Sequence, residues 1–305
     1  MRRSNERTKK KKWPWIVGLI GLPLLAIGIY AVMVYSSFSS AIDEMHEPIE
    51  REKSEKRDKQ VALSEQDPFS ILLLGVDERE GDSGRSDTMV VMTVNPKDQS
   101  TKMVSIPRDT YTEIIGRGTM DKINHAYAFG GIEMSMATTE NLLDIPIDYV
   151  VQVNMEGFKD IVDAVGGVDV DNATAFDNFS TGNIHLNGDD ALSYVRMRKQ
   201  DPRGDFGRQD RQKQVLQAVI REGASAKSLT NYNDIFSALG TNVRTNMSFD
   251  EMKDVQKNYR AAAGTVDQMI VEDGYGETIN GVWYYMMDDA ELAEIQQALK
   301  SHLES

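Results

Sequence analysis

The stretch VRMRKQDPRGDFGRQDRQKQ (195–214) carries five arginines, Arg196, Arg198, Arg203, Arg208 and Arg211, in a chain whose net charge is −14. Asp201, Asp205 and Asp210 and two glycines interrupt it. A guanidinium is planar, always charged and matched to pairs of oxygens, so arginines gathered in number point to phosphate, above all to a pyrophosphate. After Gly207 the sequence RQDRQKQVLQAVIRE has helical spacing, with Val215, Ala218, Val219 and Glu222 at i, i+3, i+4 and i+7. Stepping back along the face of Val215 gives Arg211, Gln212 and Arg208, so the arginines continue the core-facing stripe. An enclosed guanidinium needs an anion or a carboxylate beside it, because an unpaired buried charge is costly. Upstream, an extended Arg196–Arg198 piece would point both arginines to one side and Val195 and Met197 to the other. Asp201-Pro202-Arg203-Gly204-Asp205 reads as the loop that turns back into the helix.

Three further constellations lie at the ends of apolar runs. In GVDEREGDSGRSDTMVV (75–91), Asp77 closes one run, and Arg85 and Asp87 open the next. Two carboxylates brought together there offer only oxygen ligands, which suit a hard cation such as magnesium or manganese. The alternative, that both aspartates cap turns and pair with Arg85, stays open on the residues alone. In SIPRDT (105–110), Arg108 and Asp109 follow an apolar run after Pro107, as a turn or as part of a site. In DKINHAYAFGG (121–131), Asn124 is placed to cap a helix beginning at His125 or Ala126, with Lys122 beside its positive end. His125 is either a proton carrier or a plain first-turn residue. Arginines, a lysine and two metal-binding carboxylates are the parts that phosphoryl transfer requires. No G-x-x-x-x-G-K-[ST] loop and no G-x-G-x-x-G fingerprint is present, so a nucleotide is not the expected phosphate donor.

The elements that must position these groups follow from the patterning. FSILLLGVD (69–77), DTMVVMTVNP (87–96), TKMVSIPRD (101–109) and the start of YVVQVNMEGF (149–158) read as strands. FKDIVDAVGG (158–167) reads as a helix stopped at Gly166 and Gly167. DDAELAEIQQALKSHL (288–303) reads as a last helix with Leu292, Ile295 and Leu299 on one face and Asp288 or Asp289 as cap. Strands and helices in this order imply an α/β layered domain over residues 68–305, with room for a small subdomain within 225–305. Charged groups at the carboxyl ends of such strands stand where α/β sheets take their ligands.

The amino terminus sets the location. Residues 1–12 form a basic tail of charge +6, so residues 13–305 carry −20 of the chain's −14. Residues 13–36 read as one transmembrane helix: the uncharged run 15–35 spans about 31 Å, and Trp13, Trp15, Tyr30 and Tyr35 flank it. A cleaved signal peptide would have a shorter apolar core and a small-residue cleavage site. Positive flank first places the basic tail in the cytoplasm and everything after residue 36 outside it. Residues 37–67 are charged and read as a solvated linker. The absence of cysteine excludes disulfides, zinc fingers, iron–sulfur clusters and cysteine nucleophiles. A domain of −20 is the opposite of a nucleic-acid binder, and no nucleic acid partner is expected.

ILLLGVDER…GRSDT, VSIPRDT, KINHAYAFGG, YVVQVNMEGFKDIVDAVGGV and YVRMRKQDPRGDFGRQDRQKQV, in that order behind a basic tail and one transmembrane helix, resemble the LytR-CpsA-Psr family, in particular its teichoic acid transferase members from Gram-positive bacteria. The likeness covers roughly residues 68–222. It implies a single extracytoplasmic α/β/α sandwich with a mixed central sheet and an apolar pocket for a prenyl chain. It also implies a phosphotransferase at the plasma membrane that moves an anionic polymer, such as wall teichoic acid, from a polyprenyl pyrophosphate carrier to the C6 hydroxyl of N-acetylmuramic acid in peptidoglycan. Carried over motif by motif, it places the metal on Asp77 and Asp87, with magnesium or manganese as cofactor. The pyrophosphate falls on Arg85, Arg108, Lys122, Arg196, Arg198, Arg208 and Gln212. Arg108, Arg198 and Asp77 are the expected catalytic residues, Asp77 as the candidate base. Such a basic pocket would attract an anionic polymer only within about one Debye length (~8 Å), against the repulsion of the −20 domain. A membrane-bound transcriptional regulator and a non-catalytic wall-binding scaffold are the competing readings. Protease added outside intact cells should digest the chain beyond residue 36; protection there would support the regulator.

Overall fold

The computed structural model describes residues 45–76, 84, 86–198, 200–223 and 242–305. The expected membrane span, 13–36, lies outside them; among the described residues no helix is long and apolar enough to cross a membrane. At the centre is a mixed six-stranded sheet in the order β10-β3-β2-β1-β6-β9. Its strands are β1 (Phe69–Val76), β2 (Ser86–Asn95), β3 (Ser100–Ile106), β6 (Tyr149–Val153), β9 (Val243–Thr245) and β10 (Val266–Met269). β1, β2 and β3 run antiparallel as a meander, while β1–β6 and β3–β10 are parallel pairs.

The apolar runs are nearly continuous because both faces of the sheet are covered. Register sorts the side chains: Leu72 pairs with Val91 and Leu74 with Met89 on one face, Ile71 with Met92 and Leu73 with Val90 on the other. The first face packs against α1 (His125–Leu143) and α6 (Asp289–Glu304) through Met136, Leu143, Ile295 and Leu299, all buried. The second meets Leu216 and Ile220 of α4 (Asp205–Gly223) and Met252 and Val255 of α5 (Phe249–Asn258). A satellite core joins α2 (Met155–Ala164), the β7–β8 hairpin (Val168–Asn172, Gly182–Leu186), α3 (Gly188–Arg196) and the buried side of α4, where Val215 and Ala218 lie. Two further hairpins complete the fold, β4–β5 (Tyr111–Ile114, Thr119–Lys122) and β11–β12 (Tyr275–Ile279, Val282–Met286).

Residues 242–305 are part of the same layered domain: β9 and β10 are the two edges of the main sheet, and α6 covers one face. Two expectations are corrected. Residues 45–67 are not a solvated stalk. Met45 is buried, and the Glu47 amide donates to the Thr245 carbonyl at 2.9 Å. Arg51 reaches Glu140 at 2.5 Å, Lys56 pairs with Asp144, and Arg57 grips Asp148 through Nε at 3.0 Å and Nη2 at 2.6 Å. The charges that suggest a free linker are complements to acids on the domain. Asn124 does occupy the N-cap position of α1, but its side chain makes no capping bond. Asp288, in contrast, caps α6 through the Ala290 and Glu291 amides.

His302 ties α6 to the sheet, its Nδ1 within 2.7 Å of Thr93 Oγ1 and its Nε2 within 2.9 Å of Ser100 Oγ. Burial, then the Lys102 cation, holds its pKa below the usual 6.5, with Asp98 and Asp267 acting the other way. Protons therefore bind the unfolded chain first. This contribution is complete above about pH 6.5 and is lost as pH falls below it. Thermal melts should show Tm dropping between about pH 7.5 and about pH 5, with a shallower slope in His302→Gln. Equal slopes would refute this.

Candidate active site

The polar groups gather at the end of the sheet where β1 finishes, β2 begins and β3 leaves. Asp87 is the second residue of β2, and Arg108 follows β3 through Pro107. Arg108 Nη1 donates to Asp87 Oδ1 at 2.8 Å, and its Nε lies 3.6 Å from Asp109 Oδ2. Asp109 also accepts from Lys122 Nζ at 2.6 Å. One carboxylate thus holds two cations that come from separate motifs. Gly75 is required where β1 approaches this edge, since a Cβ there would meet the Thr88 Cβ at 2.9 Å.

The arginine stretch is built around Arg211 rather than around an open phosphate site. Arg211 is 6% exposed. Its Nη1 donates to Asp201 at 2.5 Å, its Nε to the Tyr194 carbonyl at 3.1 Å and its Nη2 to the Met197 carbonyl. The guanidinium therefore ties the carboxyl end of α3 to the first turns of α4, a position where a cation also meets the negative end of a helix. Asp201 in turn accepts from the Arg203 amide at 2.8 Å. Burial opposes the Asp201 charge, yet the Arg203 amide and the Arg211 guanidinium hold its pKa below the carboxylate range. Gly207 lets the carboxylate sit against the backbone of α4: a Cβ there would fall 1.8 Å from Asp201 Oδ2. The carboxylate demanded by the helical stripe is thus inside the protein.

Within this frame, Asp87, Arg108, Arg208 and Gln212 line one small cavity together with Gln209. Arg108, Arg198 and Gln209 line the adjoining cleft, of about 240 Å³. Lys122 joins through Asp109. Arg196 ends α3, is exposed and lines neither space. Arg196 and Arg198 are both exposed while Val195 and Met197 are buried, so the expected two-sidedness holds although Arg196 is helical. Asp77 and Arg85 lie outside the described residues. On the far end of the same sheet face, Phe69, Ile71, Val94 and Ile220 help line an apolar cavity of about 320 Å³.

A sequence model of the LytR_cpsA_psr family matches residues 32–301. The chain is 53% identical over 300 residues to a Bacillus mycoides protein named polyisoprenyl-teichoic acid–peptidoglycan teichoic acid transferase TagU, covering 97% of this chain and 99% of that one. The chain belongs to the LytR-CpsA-Psr family. The TagU of Bacillus subtilis strain 168 is 52% identical over 306 residues, covering 98% and 99%. Among solved structures, B. subtilis TagU matches with a TM-score of 0.63 at 50% identity over 78% of this chain and 98% of that one. TagT bound to LI-WTA matches with 0.73 at 33%, over 85% and 100%. A structure described as a transcriptional regulator from Enterococcus faecalis matches with 0.73 at 41%, over 80% and 91%.

Of the two carboxylates expected to hold a magnesium-like ion, Asp87 alone is among the described residues, and it is the kind of hard oxygen donor such an ion takes. Asp87 is 36% exposed beside Arg108, and magnesium characteristically takes one or two carboxylates, substrate phosphate and its own waters. Among the described residues no group of three or more His, Asp or Glu forms a complete protein cage. Sequence reasoning missed Gln209, which faces both cavities, and the role of Asp109 as common acceptor. Gln209 was signalled by its place between Arg208 and Gln212 on the first turns of α4; Asp109 was marked by its place after β3, but nothing local showed that its second partner is Lys122. Lys213 was also missed: it is 3% exposed, 3.6 Å from Asp210, with its pKa lowered by burial. Asp201→Ala should cost about 3–5 kcal/mol in denaturant unfolding, as removal of one partner strands the enclosed Arg211 charge. A cost under about 1 kcal/mol would show that the pair is not what holds the loop.

Proposed function

We propose that this chain is a phosphotransferase that moves an anionic wall polymer of the teichoic acid type from a polyprenyl pyrophosphate carrier to the C6 hydroxyl of N-acetylmuramic acid in peptidoglycan. Relatives over half identical along nearly the whole chain bear that transferase name. The observation that carries the chemistry is the convergence of Arg108, Arg208, Gln212 and Asp87 on one cavity, with an apolar cavity at the other end of the same sheet face. From Arg208 to Ile220 along α4 is about 18 Å at 1.5 Å per residue. That separation suits a ligand with a diphosphate head and a hydrocarbon tail. Between the two ends the face carries Met92 and Met103 beside Leu216, and methionine is the side chain that re-packs most readily around a flexible chain.

The guanidinium groups of Arg108 and Arg208 grip pyrophosphate oxygens as forks, the Gln212 amide donates to them, and Arg198 approaches from the neighbouring cleft. Lys122, held by Asp109, adds positive charge. The muramic hydroxyl oxygen bonds to the polymer-side phosphorus. The bond from that phosphorus to the bridging oxygen breaks, and the lipid monophosphate leaves with the bond's electron pair. The hydroxyl proton passes to a carboxylate, for which Asp77 is the candidate. Asp77 and Asp87 would hold magnesium or manganese, which when bound would supply further neutralisation of phosphate charge. The domain lies on the outer face of the plasma membrane, anchored by residues 13–36. A charge of −20 over residues 13–305 disfavours the regulator reading.

Arg108→Ala should lower kcat for transfer of lipid-linked polymer to purified peptidoglycan by about 10²–10³-fold, the cost of one lost transition-state donor, with an unchanged melting curve. Chelation should stop transfer and added magnesium restore it. Full turnover by the variant, or no release of polyprenyl phosphate by the wild type, would overturn this mechanism.

A further inference from the structure

The cleft that Arg108 and Arg198 share is closed on its other side by the β11–β12 hairpin, far away in sequence and absent from every motif above. β12 docks directly on the catalytic loop: the Tyr285 amide donates to the Asp109 carbonyl at 2.9 Å, and Thr110 and Tyr285 form a parallel bridge. On the hairpin face that carries Trp283 and Tyr285, Gly276 stands opposite Tyr285 and Thr278 opposite Trp283, and Gly274 precedes the strand. A Cβ at Gly276 would meet Trp283 Nε1 at 2.6 Å, and one at Gly274 would meet Tyr285 Cζ at 2.4 Å. The indole of Trp283 therefore reaches over Gly276, where no side chain intervenes, and it is still 49% exposed; Tyr275, also lining the cleft, is 60% exposed. Large aromatic surface left in water at the mouth of a polar cleft marks a binding site rather than core.

We propose that this cleft is the acceptor subsite, in which an uncharged amino-sugar ring of a glycan strand stacks on Trp283. The proposal rests on the transferase reading above and assigns that reaction its second substrate's position. An aromatic face takes the apolar C–H face of a pyranose, while Arg198 and Glu272 at the rim supply a donor and an acceptor for its hydroxyl and acetamido groups. The carboxylates of Glu272, Asp273 and Glu277, all exposed on or beside this hairpin, disfavour a polyphosphate chain there. That separates the acceptor from the anionic polymer of the donor. With the ring on Trp283, its free hydroxyl faces Arg108, which together with Gln209 lines both cavities.

The test uses the full-length protein in detergent, and its probe is a soluble oligosaccharide of alternating N-acetylglucosamine and N-acetylmuramic acid whose lactyl carboxyls are capped as amides, so that its rings are uncharged. The chain has three tryptophans, so in a Trp13→Phe/Trp15→Phe background all indole emission comes from Trp283. Saturating glycan should shift that emission, and poly(glycerol phosphate) should not. In transfer assays Trp283→Ala should raise the KM for glycan acceptor at least about tenfold, the size of one aromatic stacking contact, with Trp283→Phe restoring most of it. Affinity for the lipid-linked donor should hold. Unaltered emission with saturating glycan, or a response to poly(glycerol phosphate) instead, would overturn the subsite. So would a wild-type acceptor KM in Trp283→Ala. Absence of any transfer by the wild-type protein would instead count against the transferase reading.

Discussion

A guanidinium can be enclosed in protein only if each of its edges finds an acceptor, and in this fold Arg211 does. Asp201 takes one nitrogen, and the carbonyls of Tyr194 and Met197 take the others. The consequence is architectural. The carboxyl end of α3, the loop residues 200–204 and the opening turns of α4 become one unit, with Gly207 leaving room for the aspartate. Arg198 and Arg208 leave this unit on its cleft side. Their place beside Arg108, along the two adjoining cavities, thus follows from an ion pair buried behind them.

The sheet then separates two chemistries by distance. At one end of the face under α4, charged groups from β2, the β3 exit and α4 gather; at the other, Phe69, Ile71, Val94 and Ile220 leave apolar space. Asp109 joins the charged end to the rest of the molecule, since its carboxylate links Arg108 to Lys122 and its carbonyl receives the β12 amide. A ligand that is ionic at one end and hydrocarbon at the other matches that division, and the family's named activity requires such a ligand.

The strap formed by residues 45–67 belongs to the same economy of charge. Arg51, Lys56 and Arg57 meet Glu140, Asp144 and Asp148 at the carboxyl end of α1 and the entry to β6. Arg57 and Asp148 are the most enclosed of these, at 17% and 6% side-chain exposure, and the Ser70 amide also donates to Asp148. The strap therefore fixes how the chain enters the domain.

Much of the fold was legible because it follows from local pattern. The apolar runs that begin at 69, 87 and 101 hold the strands Phe69–Val76, Ser86–Asn95 and Ser100–Ile106, Gly166 and Gly167 end α2 in left-handed backbone, and Asp288 caps α6. The site was legible in its residue types: Asp87, Arg108, Arg198, Arg208 and Gln212 do line adjoining spaces. What could not be read was partnership across long separations. The buried stripe on α4 called for an anion, but sequence cannot distinguish a bound phosphate from Asp201, ten residues away, because both satisfy the same guanidinium. Residues 45–67 read as solvated because their acidic complements lie some ninety positions later. Sequence by itself determined the kinds of groups and the elements that carry them, through periodicity and backbone preference. Only the tertiary structure decided which charges face each other and which aromatic surfaces stay in water, because pairing and desolvation depend on distance in space.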